Sequence, residues 1–434
     1  MRNGIVHKGA KHLEYEIRQI VDYGCELKKQ FGIDMIWENI GDPLAMGEKV
    51  APWIREIVSD LVADDRSWAY SPSRGVQEAR EYLAEEVNKR NGSTKVAPND
   101  ILFTNGVADA VEKIYDLIQK DDRVLMQSPS YPTHSSNEGK RGDYEMIQFQ
   151  LDPDNDWQPD LDEIHKKIKY NPQVIAIALV NPDNPTGMVY RPETISAIVD
   201  LARRYGLFLI CDEIYAHIVY NGRMTLHISE LIGDDVPALA LRGISKDYPW
   251  PGSRCGWIEM LNRHRKPAFL EYTNALVNAK MMEVCSTTLP QMSVPKVYGN
   301  PGYKFLKQER AALFDERGKE FYEFFKTIDG VKVSRPSGAF YFSVLFEDGV
   351  LNDSQTLPIA NPEAARFVAE KVKGVALDKR FVYHMMASVG VCATPLSGFH
   401  STLLGFRLTT LRPEKEKRAE VLERIKKAII DYIG

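Results

Sequence analysis

Long apolar runs are missing from this 434-residue sequence. None approaches the roughly 20 consecutive apolar residues that a bilayer-spanning helix needs, so no membrane partner is expected. The first twenty residues, MRNGIVHKGAKHLEYEIRQI, mix acids with bases and lack the apolar middle of a secretory signal, which makes a cytoplasmic location the expectation. Cysteine is scarce. Cys25, Cys211, Cys255, Cys285 and Cys392 stand apart with no CxxC pair, so no metal or dithiol chemistry is expected and the thiols are read as reduced and mostly buried. Positive charge is not in surplus either: the formal net charge is −5, and no basic run or aromatic-interleaved RNA motif occurs, which excludes nucleic acid as a partner. Internal repeats and low-complexity tracts are absent as well.

What is present belongs to a soluble globular chain, 44% hydrophobic and 26% charged. A single core rarely grows beyond about 250–300 residues, so two domains are expected. From about position 100, short apolar runs alternate with amphipathic segments, the pattern of βα units around a parallel sheet. The runs are Ile101–Phe103, Val124–Met126, Val174–Val180, Leu207–Cys211, Ala238–Leu241 and Trp257–Met260. VIAIALV at Val174–Val180 is apolar without alternation, as for a strand covered on both faces. Val107, Val111, Ile114, Leu117 and Ile118 mark one face of a helix that starts after Gly106, and another helix runs from Pro192 to near Gly206. Beyond residue 310 come the charged helix Gln308–Phe325, the strand-like VKVSRPSGAFYFSVLF, the irregular polar stretch Glu347–Asn361 and the amphipathic Glu414–Tyr432. The expected fold class is α/β: a three-layer large domain with a mainly parallel sheet over residues 53–307, and a smaller α/β domain over 308–434. Residues 1–52 are expected to pack with the smaller domain.

Ligands of open α/β sheets bind beyond the carboxyl ends of the strands, and here five such ends carry polar residues. They are Thr104-Asn105-Gly106-Val107, Ser128-Pro129-Ser130-Tyr131, NPDNPTG at Asn181–Gly187, Asp212-Glu213-Ile214-Tyr215, and Ser245-Lys246. One cleft would collect them all.

NPDNPTG, CDEIY, the SK dipeptide and the downstream GSRCG, in this order and spacing, resemble the fold-type I pyridoxal-phosphate enzymes, specifically the class I/II aminotransferases. The similarity runs from Gly41-Asp42-Pro43 to Arg407. It implies pyridoxal 5'-phosphate as cofactor and Lys246 as the amine that forms a Schiff base with it, a task suited to a lysine whose pKa is lowered by cations or a dry pocket. Asp212 would hold the pyridine nitrogen protonated, with His134 behind it; the other reading of Asp212 is a cap on the next helix. Tyr215 and Asn184 correspond to the pair at the phenolic oxygen, and Tyr131 to the aromatic that stacks on the ring. The amides of Gly106 and Val107, the Arg254 guanidinium and the Ser245 hydroxyl would receive the phosphate. Gly243 departs from the pattern, because many relatives carry a second phosphate-binding serine there. Tyr70, in YSPSRGVQEAR, resembles the tyrosine that crosses a homodimer interface to the neighbouring phosphate. Arg407, in GFRLTT, matches the arginine that grips the substrate carboxylate bidentately, with Gly41 adding a backbone amide. Gly338-Ala339-Phe340-Tyr341 is read as structural.

The resemblance implies transfer of the amino group of an L-amino acid to a 2-oxo acid, 2-oxoglutarate by family analogy, in two half-reactions with Lys246 moving the proton. The competing readings are a lyase on the same fold and an aminotransferase-like sensor; no DNA-binding module fits before Tyr15. Lys280, Arg74 and His400 are conceivable partners of an acidic substrate side chain, and are read as surface groups.

Overall fold

The computed structural model describes residues 4–13 and 16–434; Met1–Asn3, Glu14 and Tyr15, parts of the polar N-terminal stretch, lie outside the described residues. The strands are β1 (Ile36–Trp37), β2 (Ile101–Thr104), β3 (Arg123–Ser128), β4 (Ile147–Asp152), β5 (Gln158–Pro159), β6 (Val174–Val180), β7 (Phe208–Asp212), β8 (Ala238–Gly243), β9 (Gly256–Leu261), β10 (Val331–Val333), β11 (Tyr341–Phe346), β12 (Val391–Cys392), β13 (Thr394–Pro395) and β14 (Gly405–Thr409). The large sheet has eight strands in the order β2-β9-β8-β7-β6-β3-β4-β5. Its middle, from β4 through β3, β6 and β7 to β8, is parallel throughout.

Successive side chains of a strand point to opposite faces, and both faces of this sheet are dry. Ile177 and Leu179 enter one core with Leu125, Leu209 and Ala240. Ala176 and Ala178 enter another with Val124, Met126, Ile210 and Leu241. That double burial is why VIAIALV carries no polar alternation. The helix Pro192–Tyr205 begins on its proline and stops where Gly206 turns left-handed at φ 69°, burying Ile195, Ile198 and Val199 against the first of these cores.

Three details differ from the sequence expectation. Trp257–Met260 belongs to β9, which runs antiparallel to both β8 and β2 rather than extending the parallel set. The chain from β8 to β9 holds only short turns, and a parallel return needs a crossover helix. β4 escaped notice because IQFQLD alternates polar and apolar residues towards the sheet edge. VKVSRPSGAFYFSVLF is two strands, β10 and β11, with a loop between them.

A smaller antiparallel sheet, β10-β11-β14-β13, builds the second core, with Phe342, Val344, Phe406 and Leu408 facing Phe321, Phe325 and Ile425. Ile20, Tyr23 and Leu27 of the N-terminal helix Glu16–Phe31 insert into this core, and β1 pairs in parallel with β12. Each such large side chain contributes about 1.5–3 kcal/mol by burial. The helix Pro301–Phe325 joins the two regions: Tyr303 lies in the large-sheet core, Phe321 and Phe325 in the smaller one. The Gln308–Phe325 helix therefore starts about two turns earlier than its charge pattern implied.

Candidate active site

The carboxyl ends of the parallel strands border a cavity of about 900 Å³, within the size range of cofactor and substrate clefts. Lys246, Asn184, Tyr131, Tyr215, Arg254, Arg407 and Gly41 all line it. A smaller recess of about 150 Å³ carries Asp212, Ser245 and Val107 alongside several of the same residues.

Lys246 sits in a single helical turn, Ile244–Asp247, at the end of β8. Its Nζ donates to the Gly41 carbonyl at 2.5 Å and lies 5.7 Å from the centre of the Phe340 ring. Burial lowers its pKa to about 8; Asp42 opposes the shift, and Arg407, Arg254 and Arg310 reinforce it. About a tenth of this amine is thus neutral and nucleophilic at pH 7, far more than for an ordinary lysine. Arg310, from the long helix, donates to the Lys246 carbonyl at 2.6 Å and the Asp247 carbonyl at 2.8 Å, and is itself held by Glu48 at 2.6 Å.

Asp212 ends β7 almost fully buried, in register with Val180 of β6. His134 Nε2 lies 3.2 Å from its Oδ2, and the Ile214 amide donates to Oδ1 at 3.1 Å. A turn rather than a helix follows, so the carboxylate is no helix cap. Tyr215 packs edge-on to Phe340 and shares a 2.8 Å hydrogen bond with the Tyr341 hydroxyl. Burial drives the Tyr215 phenol well above its ordinary pKa and raises Tyr341 to about 12.

The helix Val107–Asp116 opens at Gly106, φ 82°, with no side-chain cap, so its first amides are available to an anion. Arg254 leans over this turn: a Cβ on Gly106 would come within 2.6 Å of its Nη2. Gly243 has no room for a side chain, because a Cβ there would meet the Cys255 carbonyl at 2.9 Å. The missing serine is thus a consequence of close packing between β8 and the turn before β9.

Arg407 is fully buried on β14. It donates to Asn184 Oδ1 at 3.0 Å, to Thr394 Oγ1 at 3.2 Å and to the Asn39 carbonyl. The guanidinium is held between the Tyr341 ring, 4.6 Å away, and the Phe399 ring at 5.2 Å.

Two readings change. Tyr341, taken as structural, is a wall of the cavity: a Cβ on Gly41 would strike its hydroxyl at 2.5 Å, so glycine is required there. Lys280, taken as a surface group, is fully buried and paired with Glu283 at 2.6 Å and Asp109 at 3.4 Å. Arg74 and His400 lie outside the cavity. Tyr70 is 84% exposed and stands in a separate groove with Leu61, Pro72, Met292 and Pro295, so one chain alone does not bring it to the cavity. Sequence reasoning missed Arg310, which reads as one more charge on a charged helix. It also missed Ile17, Arg18 and Val21, which wall the cavity from the N-terminal helix.

A three-layer α/β unit with a lysine, a buried aspartate and two arginines at its strand ends, beside a smaller sheet, has the architecture of fold-type I transferases. The chain belongs to the aminotransferase class I and II family, whose model matches residues 33–425. It is 46% identical over 433 residues, covering all of both chains, to an uncharacterized aminotransferase of Methanocaldococcus jannaschii. It is 30% identical over 336 residues to the glutamate-pyruvate aminotransferase AlaA of Escherichia coli, covering 75% of this chain and 79% of that one. The alanine aminotransferase from Pyrococcus furiosus superposes with a TM-score of 0.83 at 28% identity, over 98% of this chain and 100% of that one. The protein is accordingly an enzyme of amino-group transfer. Among the described residues no helix is long and apolar enough to cross a membrane.

Proposed function

We propose that this aminotransferase holds pyridoxal 5'-phosphate in the strand-end cavity, covalently on Lys246, and passes an amino group from an L-amino acid to a 2-oxo acid. The observation that carries the reading is the convergence on one cavity of an amine with its pKa lowered to about 8, a buried carboxylate and two arginines. The residues fit the group: a primary amine for its aldehyde, an acid for its ring nitrogen, and an uncapped helix start beneath Arg254 for its phosphate. When bound, the cofactor supplies an electron sink that stabilises the carbanion formed at the substrate α-carbon.

Asp212, held by His134, would face the ring nitrogen of the cofactor and favour its protonated form. Tyr131 lies on the cavity wall as the stacking ring. Tyr215 and Asn184 would hold the phenolic oxygen, and the Gly106 and Val107 amides, Ser245 and Arg254 would take the phosphate. Arg407 binds the substrate carboxylate with its planar fork, aided by the Gly41 amide, and so aims the α-hydrogen at Lys246. Lys246 Nζ, when free, would lift that proton and later return it. The AlaA relative supports glutamate and 2-oxoglutarate as one amino donor and acceptor couple. We further infer a cytoplasmic homodimer in which exposed Tyr70 reaches the phosphate of the neighbouring site. In this reading residues 53–307 form the cofactor-binding domain and 308–434 the smaller domain; the helix Glu16–Phe31 packs with the latter, whereas Lys8–His12 lies against the large-domain helix Pro132–Gly142, with Lys11 and His12 paired to Asp143.

The test is Lys246→Ala in the cofactor-loaded enzyme. Loss of both the visible absorbance of the lysine-bound cofactor and turnover is expected; a variant that keeps both ends the proposal.

A further inference from the structure

On the face of the large sheet away from the cavity, each of two central residues is followed by an acid that turns the other way. Asp247 follows Lys246, and Glu213 follows Asp212. Both acids are buried, and neither has a part in the chemistry described above. They are joined by an unbroken line of side chains. The Asp247 carboxylate accepts from the Tyr298 hydroxyl at 2.8 Å and lies 2.9 Å from His217 Nδ1. His217 Nε2 lies 3.0 Å from Arg242 Nη2, and Arg242 Nη1 lies 3.4 Å from His227 Nε2, the nitrogen left free to accept. His227 Nδ1 is in turn 2.7 Å from Glu213 Oε2, whose other oxygen accepts from the Ile228 amide at 2.7 Å.

We propose that Asp247, His217, Arg242, His227 and Glu213 form a positioning network that locks the Lys246 turn to the Asp212 strand end from behind the sheet. The inference rests on the roles proposed for Lys246 and Asp212. Its physical basis is the hydrogen-bond pattern. A neutral His217 carries its proton on Nδ1, between the Asp247 carboxylate and the Tyr303 hydroxyl, and accepts at Nε2 from Arg242, so one ring bridges the nucleophile's turn and β8. Asp247 Oδ1 and Arg242 Nε have no hydrogen-bond partner, but the remaining contacts hold the network, because any member that moves strips its neighbours of theirs.

The surroundings keep both rings uncharged. Burial, with Arg242 adding, lowers the His217 pKa, against the pull of Asp247; burial and then Arg242 and Arg90 lower that of His227. Around them stand Arg90 and Glu259, paired at 2.8 Å, together with Tyr303, whose hydroxyl is 2.6 Å from His217 Nδ1. Lys89, Glu86 and Lys307 line the same polar cavity of about 310 Å³. On its other side the Lys246 turn is gripped by Arg310 through two carbonyls. The nucleophile's backbone is thus clamped between a helix and this network.

His217→Phe removes the contacts of both ring nitrogens, with Asp247, Tyr303 and Arg242, while keeping a ring, and His217→Asn restores a donor towards Asp247. The first readout is the pH dependence of Lys246 acylation by trace acetic anhydride, followed by mass spectrometry in the unloaded full-length protein. The second is the split of kcat against KM in the holoenzyme. Displacements of an ångström or less cost on the order of 10- to 100-fold in rate, so His217→Phe should lower kcat by that factor with little change in KM. It should also move the Lys246 acylation midpoint, and His217→Asn should recover most of both. A His217→Phe protein that melts earlier yet keeps the wild-type acylation midpoint and kcat overturns the network as a positioning device. Where that variant does not fold, His227→Gln, which breaks the line at its Arg242–Glu213 step, is read in the same way, and an unmoved midpoint and kcat again overturn it. The acylation readout needs no cofactor, so its failure is distinct from a failure of the proposed chemistry.

Discussion

Replacing Arg407 by lysine keeps the charge and removes the planar fork, which makes it a sharp probe of substrate binding. In the structure the guanidinium is fixed by Asn184, Thr394 and the Asn39 carbonyl and is stacked between Tyr341 and Phe399. An ammonium occupies one point and cannot reproduce two parallel donors or the ring contacts. A charge-assisted hydrogen bond contributes about 1.5–3 kcal/mol and the ring stacking about 0.5–1 kcal/mol, so one lost bond plus the stacking costs about 2–4 kcal/mol. That corresponds to a fall in kcat/KM of roughly 30- to 1,000-fold. Steady-state kinetics with an aliphatic, an aromatic and an acidic amino donor should show the same factor for each, since all carry the same carboxylate. A loss confined to one donor class, or one below about threefold for all, would refute the carboxylate role and the stacking argument together.

Replacing Lys246 by methionine should stabilise the unloaded protein at neutral pH. The folded amine releases its proton near pH 8 and the unfolded one near the ordinary 10.5, so the charged form is disfavoured by folding. The penalty is fully present below pH 8, up to about 3 kcal/mol, and fades as the pH rises towards 10.5. Urea denaturation at pH 7 and pH 10 should therefore show a gain that shrinks, and an equal gain at both would contradict the depressed pKa. Asp212→Asn should lower kcat by at least about 100-fold while leaving cofactor affinity within about tenfold, because it removes charge at the ring nitrogen and keeps shape; equilibrium dialysis with kinetics separates the two. Arg18→Ala should raise KM for a dicarboxylic 2-oxo acid more than for pyruvate, because Arg18 is the exposed cation on the N-terminal wall of the cavity. Equal effects on both acceptors would place Arg18 outside the side-chain subsite.

The parallel sheet was legible because fully buried strands must be apolar on both faces, and VIAIALV could be little else. β4 was not, since one half-polar face leaves the same letters as a loop. The strand-end motifs brought Lys246, Asp212, Asn184, Tyr215, Arg254 and Arg407 to one place because local turns carry them there. Tyr341 reaches the cavity, and Arg310 the Lys246 turn, only through the packing of the smaller sheet and the long helix, and no local spacing encodes a contact between residues 246 and 310. His217 and His227 were equally silent, for an isolated histidine has the same appearance in a relay as in any core.

The long helix rooted in both cores also sets how the enzyme can flex. A rod with its ends in two lobes transmits any rotation of one against the other, and the least travel falls near its middle. Arg310 holds the backbone of the nucleophile from that region, so the lobes can swing while the reactive nitrogen stays close to the fulcrum.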